Sequence, residues 1–177
     1  MITPETDIYL FEKINYYIGD GDRVMETKKD LPPTFHYNYS SPTFPVTLER
    51  PEVEEYSTLS CYESIPYTLS IDENDLIRIP KYINSFGSVA YRETPVALQF
   101  NREDSFLYDR SRTTETVYLT PGASLISEPT VHYYDMSLSY TVSFFGKETG
   151  HRIEVHGKWE GTYVKYISGQ ITIHPIE

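Results

Sequence analysis

Four sets of side chains in this sequence have the types that chemistry needs, and in each the context argues against it. Gly122-Ala123-Ser124-Leu125-Ile126 is one residue short of a nucleophile elbow. The missing second glycine is the one that lets a strained strand-to-helix turn pack closely, and no helix is predicted after it. Cys61 could act as a nucleophile with a histidine as base, but its neighbours Ser60, Tyr62 and Glu63 include no cation to lower the thiol pKa. It reads as a small apolar packing group. The turns Asp20-Gly21-Asp22 and Asp72-Glu73-Asn74-Asp75 offer the hard oxygen ligands that calcium prefers. Neither matches the EF-hand loop with its closing glutamate, and aspartate and asparagine make turns without any ion. His151 and His156 stand five apart on one predicted strand, so they point to opposite faces and cannot share a metal from that strand. With His36, His132 and His174 they read as ordinary sheet histidines. There is no P-loop, dinucleotide glycine fingerprint, His-Glu-x-x-His or paired-cysteine zinc spacing. The expectation is a chain that is not an enzyme, with no catalytic residue, no metal site and no cofactor. An acid and base drawn from scattered carboxylates is the form in which catalysis would escape this reading.

Tyrosine is the stronger candidate for function, because it makes up 17 of the 177 residues. Its ring gives contact area at low entropic cost while the hydroxyl stays wet, a combination favoured at interfaces. Tyr67 and Tyr140 are in phase with aliphatic neighbours and belong to the core. Tyr118 is out of phase. Of the adjacent pair Tyr133 and Tyr134, one must leave the core side if the strand is regular. Tyr118, Tyr133 and Tyr134 are therefore the expected partner-binding residues, for a protein surface or for stacking on sugar rings.

The elements that must position these residues are strands. Alanine, the best helix former, occurs only at Ala90, Ala97 and Ala123, whereas aromatic and β-branched residues abound. Leu138, Tyr140, Val142 and Phe144 alternate with Ser137, Ser139, Thr141 and Ser143. Ile153, Val155, Gly157 and Trp159 alternate with Arg152, Glu154, His156, Lys158 and Glu160. Gly146-Lys147-Glu148-Thr149-Gly150 joins the two as a hairpin, which predicts an antiparallel sheet with one covered face. Ile65, Tyr67, Leu69 and Ile71 alternate upstream, with Leu76 to Ile79 as a hairpin partner. Phe35, Tyr37 and Tyr39 alternate with His36, Asn38 and Ser40. Thr113 to Thr120 reads as a strand closed by Pro121-Gly122. Val131 to Phe145 reads as one long strand or two with a break near Asp135. In Tyr163 to Ile173 a phase change at Ser168-Gly169 suggests a bulge. Arg23 to Pro33 is polar and reads as loop, and Glu49 to Glu55 is acidic and reads as solvated. At the N-terminus, Thr3, Pro4, Glu5 and Asp7 suit a helix start. Leu10, Phe11, Ile14, Tyr17 and Ile18 fall on one helical face, and Gly19 suits a stop. A helix over residues 4–18 is the expectation, although Ile8, Leu10, Ile14, Tyr16 and Ile18 also alternate around Glu12.

The predicted fold is mostly β: an antiparallel β-sandwich, or a barrel-like form, of about eight to ten short strands. Residues 1–177 read as a single domain whose N-terminal half is irregular and proline-rich. The net charge of −11 removes the basic footprint that nucleic-acid binding and docking on anionic membranes require. No apolar run approaches about 18 residues, so no membrane partner is expected. The N-terminus lacks a basic region followed by an apolar one, and a lone cysteine allows no intrachain disulfide. Synthesis without a signal peptide, in a cytoplasm, is expected, and the Asn38-Tyr39-Ser40 sequon is read as chance. The function these features imply is a non-enzymatic structural or interaction protein with protein partners. It would be a homo-oligomer or a subunit of a larger assembly, such as a bacteriophage virion or a surface appendage. The alternative is a carbohydrate- or small-ligand-binding β-sandwich module.

Overall fold

The computed structural model describes residues 1–48, 52–108 and 115–176, and among them it contains strands and no helix. The strands are β1 (Ile8–Tyr17), β2 (Val24–Asp30), β3 (Thr34–Tyr37), β4 (Phe44–Leu48), β5 (Glu54–Ser60), β6 (Thr68–Ser70) and β7 (Leu76–Ile77). They continue as β8 (Pro80–Ile83), β9 (Val89–Tyr91), β10 (Val96–Ala97), β11 (Glu103–Leu107), β12 (Glu115–Leu119), β13 (Ala123–Gly146) and β14 (Arg152–Pro175). One sheet runs β11-β5-β14-β13-β1-β6, with β2 and β3 also paired to β13. Three two-stranded ribbons, β7–β10, β4–β12 and β8–β9, complete it. The mostly β expectation is met. The pairing of β1 with β6 is parallel, an exception to the antiparallel pattern.

The chain clusters into two compact units. Unit 1 comprises Met1–Met25, Tyr56–Ser105 and Asp135–Tyr163; unit 2 comprises Glu26–Glu55, Phe106–Tyr134 and Val164–Glu177. In unit 1 the buried face of β13 is Met136, Leu138, Tyr140, Val142 and Phe144, and β14 contributes Val155 and Trp159. Ile153 is half-buried. This is the register the alternation predicts. Trp159 is 1% exposed and its Nε1 donates to Ser57 Oγ at 2.7 Å. Two glycines make room for these rings. A Cβ on Gly161 would stand 2.3 Å from the Trp159 ring, and one on Gly157 would stand 2.3 Å from the Tyr140 hydroxyl. That hydroxyl donates to the Ser60 carbonyl at 2.8 Å.

The expected N-terminal helix over residues 4–18 is a strand. Its start signal is spent on one turn, in which the Thr6 N–H donates to the Thr3 carbonyl at 3.1 Å. Asp7 then enters the sheet and β1 pairs antiparallel with β13, from Tyr9 opposite Gly146 to Tyr17 opposite Ser139. The register shifts between Phe11 and Lys13, so Glu12 is the extra residue of a bulge. Phe11 pairs with Phe144, and Ile14 with Val142. The bulge thus puts a three-residue step between apolar neighbours in a strand, and that step imitates helical spacing. Arg23 to Pro33, read as loop, contains β2. Its side chains are nearly all exposed, so it is a strand by backbone pairing and shows no alternation. β7 pairs with β10 and not with the strand before it.

In unit 2 the buried face of β13 has the other parity. Ala123, Leu125 and Val131 are buried, while Ser124, Ile126, Glu128, Thr130, His132 and Tyr134 are not. Val46, Leu48, Leu119, Ala123 and Leu125 form one apolar cluster, joined by Phe44, Val117 and Ile171. The β4–β12 ribbon therefore shares its core with β13 and β14. A second cluster holds Val53, Val131 and Val164, with Tyr133 and Ile167 packed on it. Val164 and Ile167 both face this core, so the phase change of β14 comes before Ser168-Gly169. Residues 49–51 of the expected acidic stretch, and 113–114 of the expected strand, lie outside the described residues. Glu55 is buried, not solvated, and accepts the Val164 N–H at 2.7 Å.

Candidate functional site

The three tyrosines singled out from sequence are placed in three different ways. Tyr118 is 70% exposed on β12, opposite Pro45 of β4, and its neighbours Val117 and Leu119, on the other face, pack in the core. Tyr133 packs against the Val53–Val131–Val164 cluster. Tyr134 takes the other face, as a regular strand requires. There Lys165 Nζ lies 5.4 Å from the Tyr134 ring centroid and 2.7 Å from Glu26 Oε1. A β14 cation thus reaches across a β13 ring to a β2 carboxylate. The Glu26 hydrogen bond, with a second from Tyr134, raises the Lys165 pKa. The Lys165 hydrogen bond and charge lower that of Glu26. His132 stacks on Tyr166 at 4.0 Å between centroids and shares a hydrogen bond with Ser168. Tyr118 is thus exposed, Tyr134 is half-buried beside Lys165, and Tyr133 serves the core.

The exposed aromatic row that sequence reading did not single out as a site runs along β3 and just past its end. Phe35, Tyr37 and Tyr39 are 52%, 49% and 78% exposed, and Asn38 between them is fully buried. The pattern is inverted because Asn38 is satisfied on every side. Its Nδ2 donates to the Pro42 carbonyl at 2.9 Å and the Leu119 carbonyl at 2.8 Å, and its Oδ1 accepts the Ser40 N–H at 2.9 Å. Its own N–H donates to the Ala123 carbonyl, and its carbonyl accepts the Gly122 N–H. A buried amide with all its partners costs little, and here it turns the aromatics outward. β3 pairs with β13 so that Phe35 lies opposite Ile126 and Tyr37 opposite Ser124. The Tyr37 and Tyr39 rings stack at 5.8 Å and 18°. Burial of Asn38 also closes the sequon to modification of the folded chain.

A second feature lies within unit 1, an open cleft of about 540 Å³. Tyr56 and Thr58 of β5, Glu160 and Thr162 of β14, and Asp135 and Ser137 of β13 line it, and Gly21, Arg23 and Met25 make one wall. That wall is fixed to the sheet. The Arg23 N–H donates to Ser137 Oγ at 3.2 Å, and the Ser137 N–H donates to the Arg23 carbonyl at 2.9 Å. Lys158 Nζ donates to Asp22 Oδ1 at 2.6 Å, Ser139 Oγ at 2.8 Å and the Asp20 carbonyl at 3.0 Å. Burial pushes the Asp22 pKa up, but the Lys158 hydrogen bond, with those from Gly19 and Ser139, outweighs it and the net shift is down. The acidic turn Asp20-Gly21-Asp22 therefore holds an internal lysine. Among the described residues no group of three or more metal-ligating side chains converges. Cys61 is half-buried, and its N–H donates to Asn101 Oδ1 at 2.9 Å. Ser124 Oγ donates to the His174 carbonyl at 3.2 Å.

No family model matches the chain, and no curated protein does. Sixteen chains of solved structures match its fold. The lamprey immune protein superposes with a TM-score of 0.47 at 12% identity, over 94% of this chain and 53% of that one. The chain thus spans about half the length of that protein. An aerolysin-like protein of Bombina maxima gives a TM-score of 0.46 at 12% identity, covering 96% of this chain and 99% of its own. Parasporin-2, a Bacillus thuringiensis toxin described as recognizing cancer cells, gives 0.41 at 14% identity over 93% and 73%.

Proposed function

We propose that this protein works without chemistry of its own, as an interaction protein that joins a larger assembly through aromatic surfaces. The observation that supports the reading is the Phe35–Tyr37–Tyr39 row. Three large rings stand on one short strand and the two residues after it, turned away from a core that is already filled by Leu125, Leu119 and Val46. Exposed tyrosines of this kind carry most of the affinity at many protein interfaces. Tyr118 supplies a further ring on a second exposed strand of the same unit. The core that β4 and β12 share with β13 and β14 gives that surface a packed platform. A homo-oligomer, a virion or a surface appendage are the assemblies we have in view.

Sedimentation at micromolar concentration, alone and with candidate partners, tests this. The chain is expected to associate, and Tyr37→Ser with Tyr39→Ser is expected to weaken association by about 2 kcal/mol or more if the stacked pair is a hot spot. A strict monomer that binds no partner would remove the reading.

A further inference from the structure

The cleft of unit 1 is independent of the aromatic row, and its chemistry selects a ligand class. Its volume of about 540 Å³ falls within the roughly 300–1,000 Å³ of small-molecule sites. The sheet builds its floor from outward positions. Thr58 lies directly opposite Glu160, and Trp159 opposite Leu59 points into the core. The Tyr56 N–H donates to Thr162 Oγ1 at 2.8 Å, which fixes the strand that presents the Tyr56 ring, and that residue is 40% exposed.

The lining then points to a ligand class. Asp135 and Glu160 repel phosphate and sulfate groups. Lys158 is already held by Asp22, which leaves Arg23 beside the two carboxylates. The threonine and serine hydroxyls together with both signs of charge do not suit an apolar molecule. Hydroxyls, carboxylates and a guanidinium around one exposed ring suit a molecule that both donates and accepts many hydrogen bonds and has a face to lay on that ring. We infer that the cleft binds a neutral saccharide, with a sugar ring on Tyr56 and its hydroxyls on Glu160, Asp135 and Arg23. This goes beyond association through β3: the site is complete within one chain, so a dissociated subunit keeps it.

The test is amide chemical-shift titration of the labelled protein with maltose, lactose, mannobiose and chitobiose, with inorganic phosphate as the competing chemistry. At least one disaccharide is expected to shift amides at Tyr56, Thr58, Ser137 and Glu160, with millimolar or tighter affinity. Tyr56→Ala is expected to weaken binding at least about tenfold, a loss of about 1.4 kcal/mol, and Tyr56→Phe to retain it. The Trp159 indole resonance reports whether each variant is folded, and Glu160→Gln is the second variant, with the same weakening expected. Silence with all four sugars would overturn the inference. So would shifts outside the cleft, phosphate binding at the same amides, or equal affinity in folded Tyr56→Ala and Glu160→Gln. Sedimentation of the same variants separates this outcome from the assembly reading, which leaves Tyr56 uninvolved.

Discussion

Asp7 shows how much one buried side chain can decide. It takes the Thr149 hydroxyl at 2.7 Å and the N–H groups of Thr149 at 2.8 Å, Ile8 at 2.8 Å and Glu148 at 3.2 Å. Gly146 admits it, since a Cβ there would stand 2.3 Å from Asp7 Oδ2. Burial raises its pKa, but the Thr149, Glu148 and Ile8 hydrogen bonds prevail and hold it at about 2, against an ordinary 3.8. The folded pKa is the lower one, so its contribution is complete above 3.8 and is lost as pH falls toward about 2. Asp7→Asn is expected to be less stable than wild type at neutral pH, with the difference shrinking through that window, as read by denaturant midpoints at stepped pH. An unchanged difference would assign the effect to packing. Trp159→Ala is expected to cost about 3–5 kcal/mol in equilibrium unfolding, since it empties a fully buried site and leaves Ser57 Oγ without its donor. Cys61→Ser is expected to leave binding and association intact, and stoichiometric thiol labelling with loss of either would contradict that. The Trp159 face could be read from the sequence because alternation and a hairpin turn agree. Asn38 could not, because alternation separates two faces without saying which is inside. The deciding carbonyl, Leu119, is 81 residues away.

Elements were legible where apolar side chains mark them and illegible where the backbone alone does. β13 and β14 carry both an alternating face and a turn between Ser137 and Glu160, and there both are read correctly. The sequence reading starts β13 only at Val131 and divides β14, whereas each is continuous over 24 residues. β2 carries neither, because it is held by pairing to β13 with its side chains in solvent. β1 misleads for a different reason: a bulge at Glu12 converts period two into an apparent helical step. The strand makes a sharp forecast for hydrogen exchange. The alternate amides between Tyr9 and Tyr17 that face β13 are expected to show slow exchange together with their β13 partners, and far-ultraviolet dichroism is expected to lack a helical component. Rapid exchange across β1 would remove its pairing. The cleft was out of reach of motif reading, since Arg23, Tyr56, Asp135 and Glu160 come from four separate segments that only the strand order brings together.

For the whole molecule, charge and association pull against each other. At a net charge of −11, copies of this chain repel one another over a Debye length of about 30 Å in 0.01 M salt and about 8 Å in 0.15 M. Self-association through aromatic rings is therefore expected to tighten as salt is added, and sedimentation at two ionic strengths reads the sign. Weakening with salt would point to an interface of paired charges. The switch of buried parity in β13, from Ala123, Leu125 and Val131 to Met136, Leu138 and Tyr140, bears on the fidelity of folding. One continuous strand supplies the core of both units, odd-numbered in one and even-numbered in the other. A one-residue slip of that strand would turn both sets of side chains to the wrong side together.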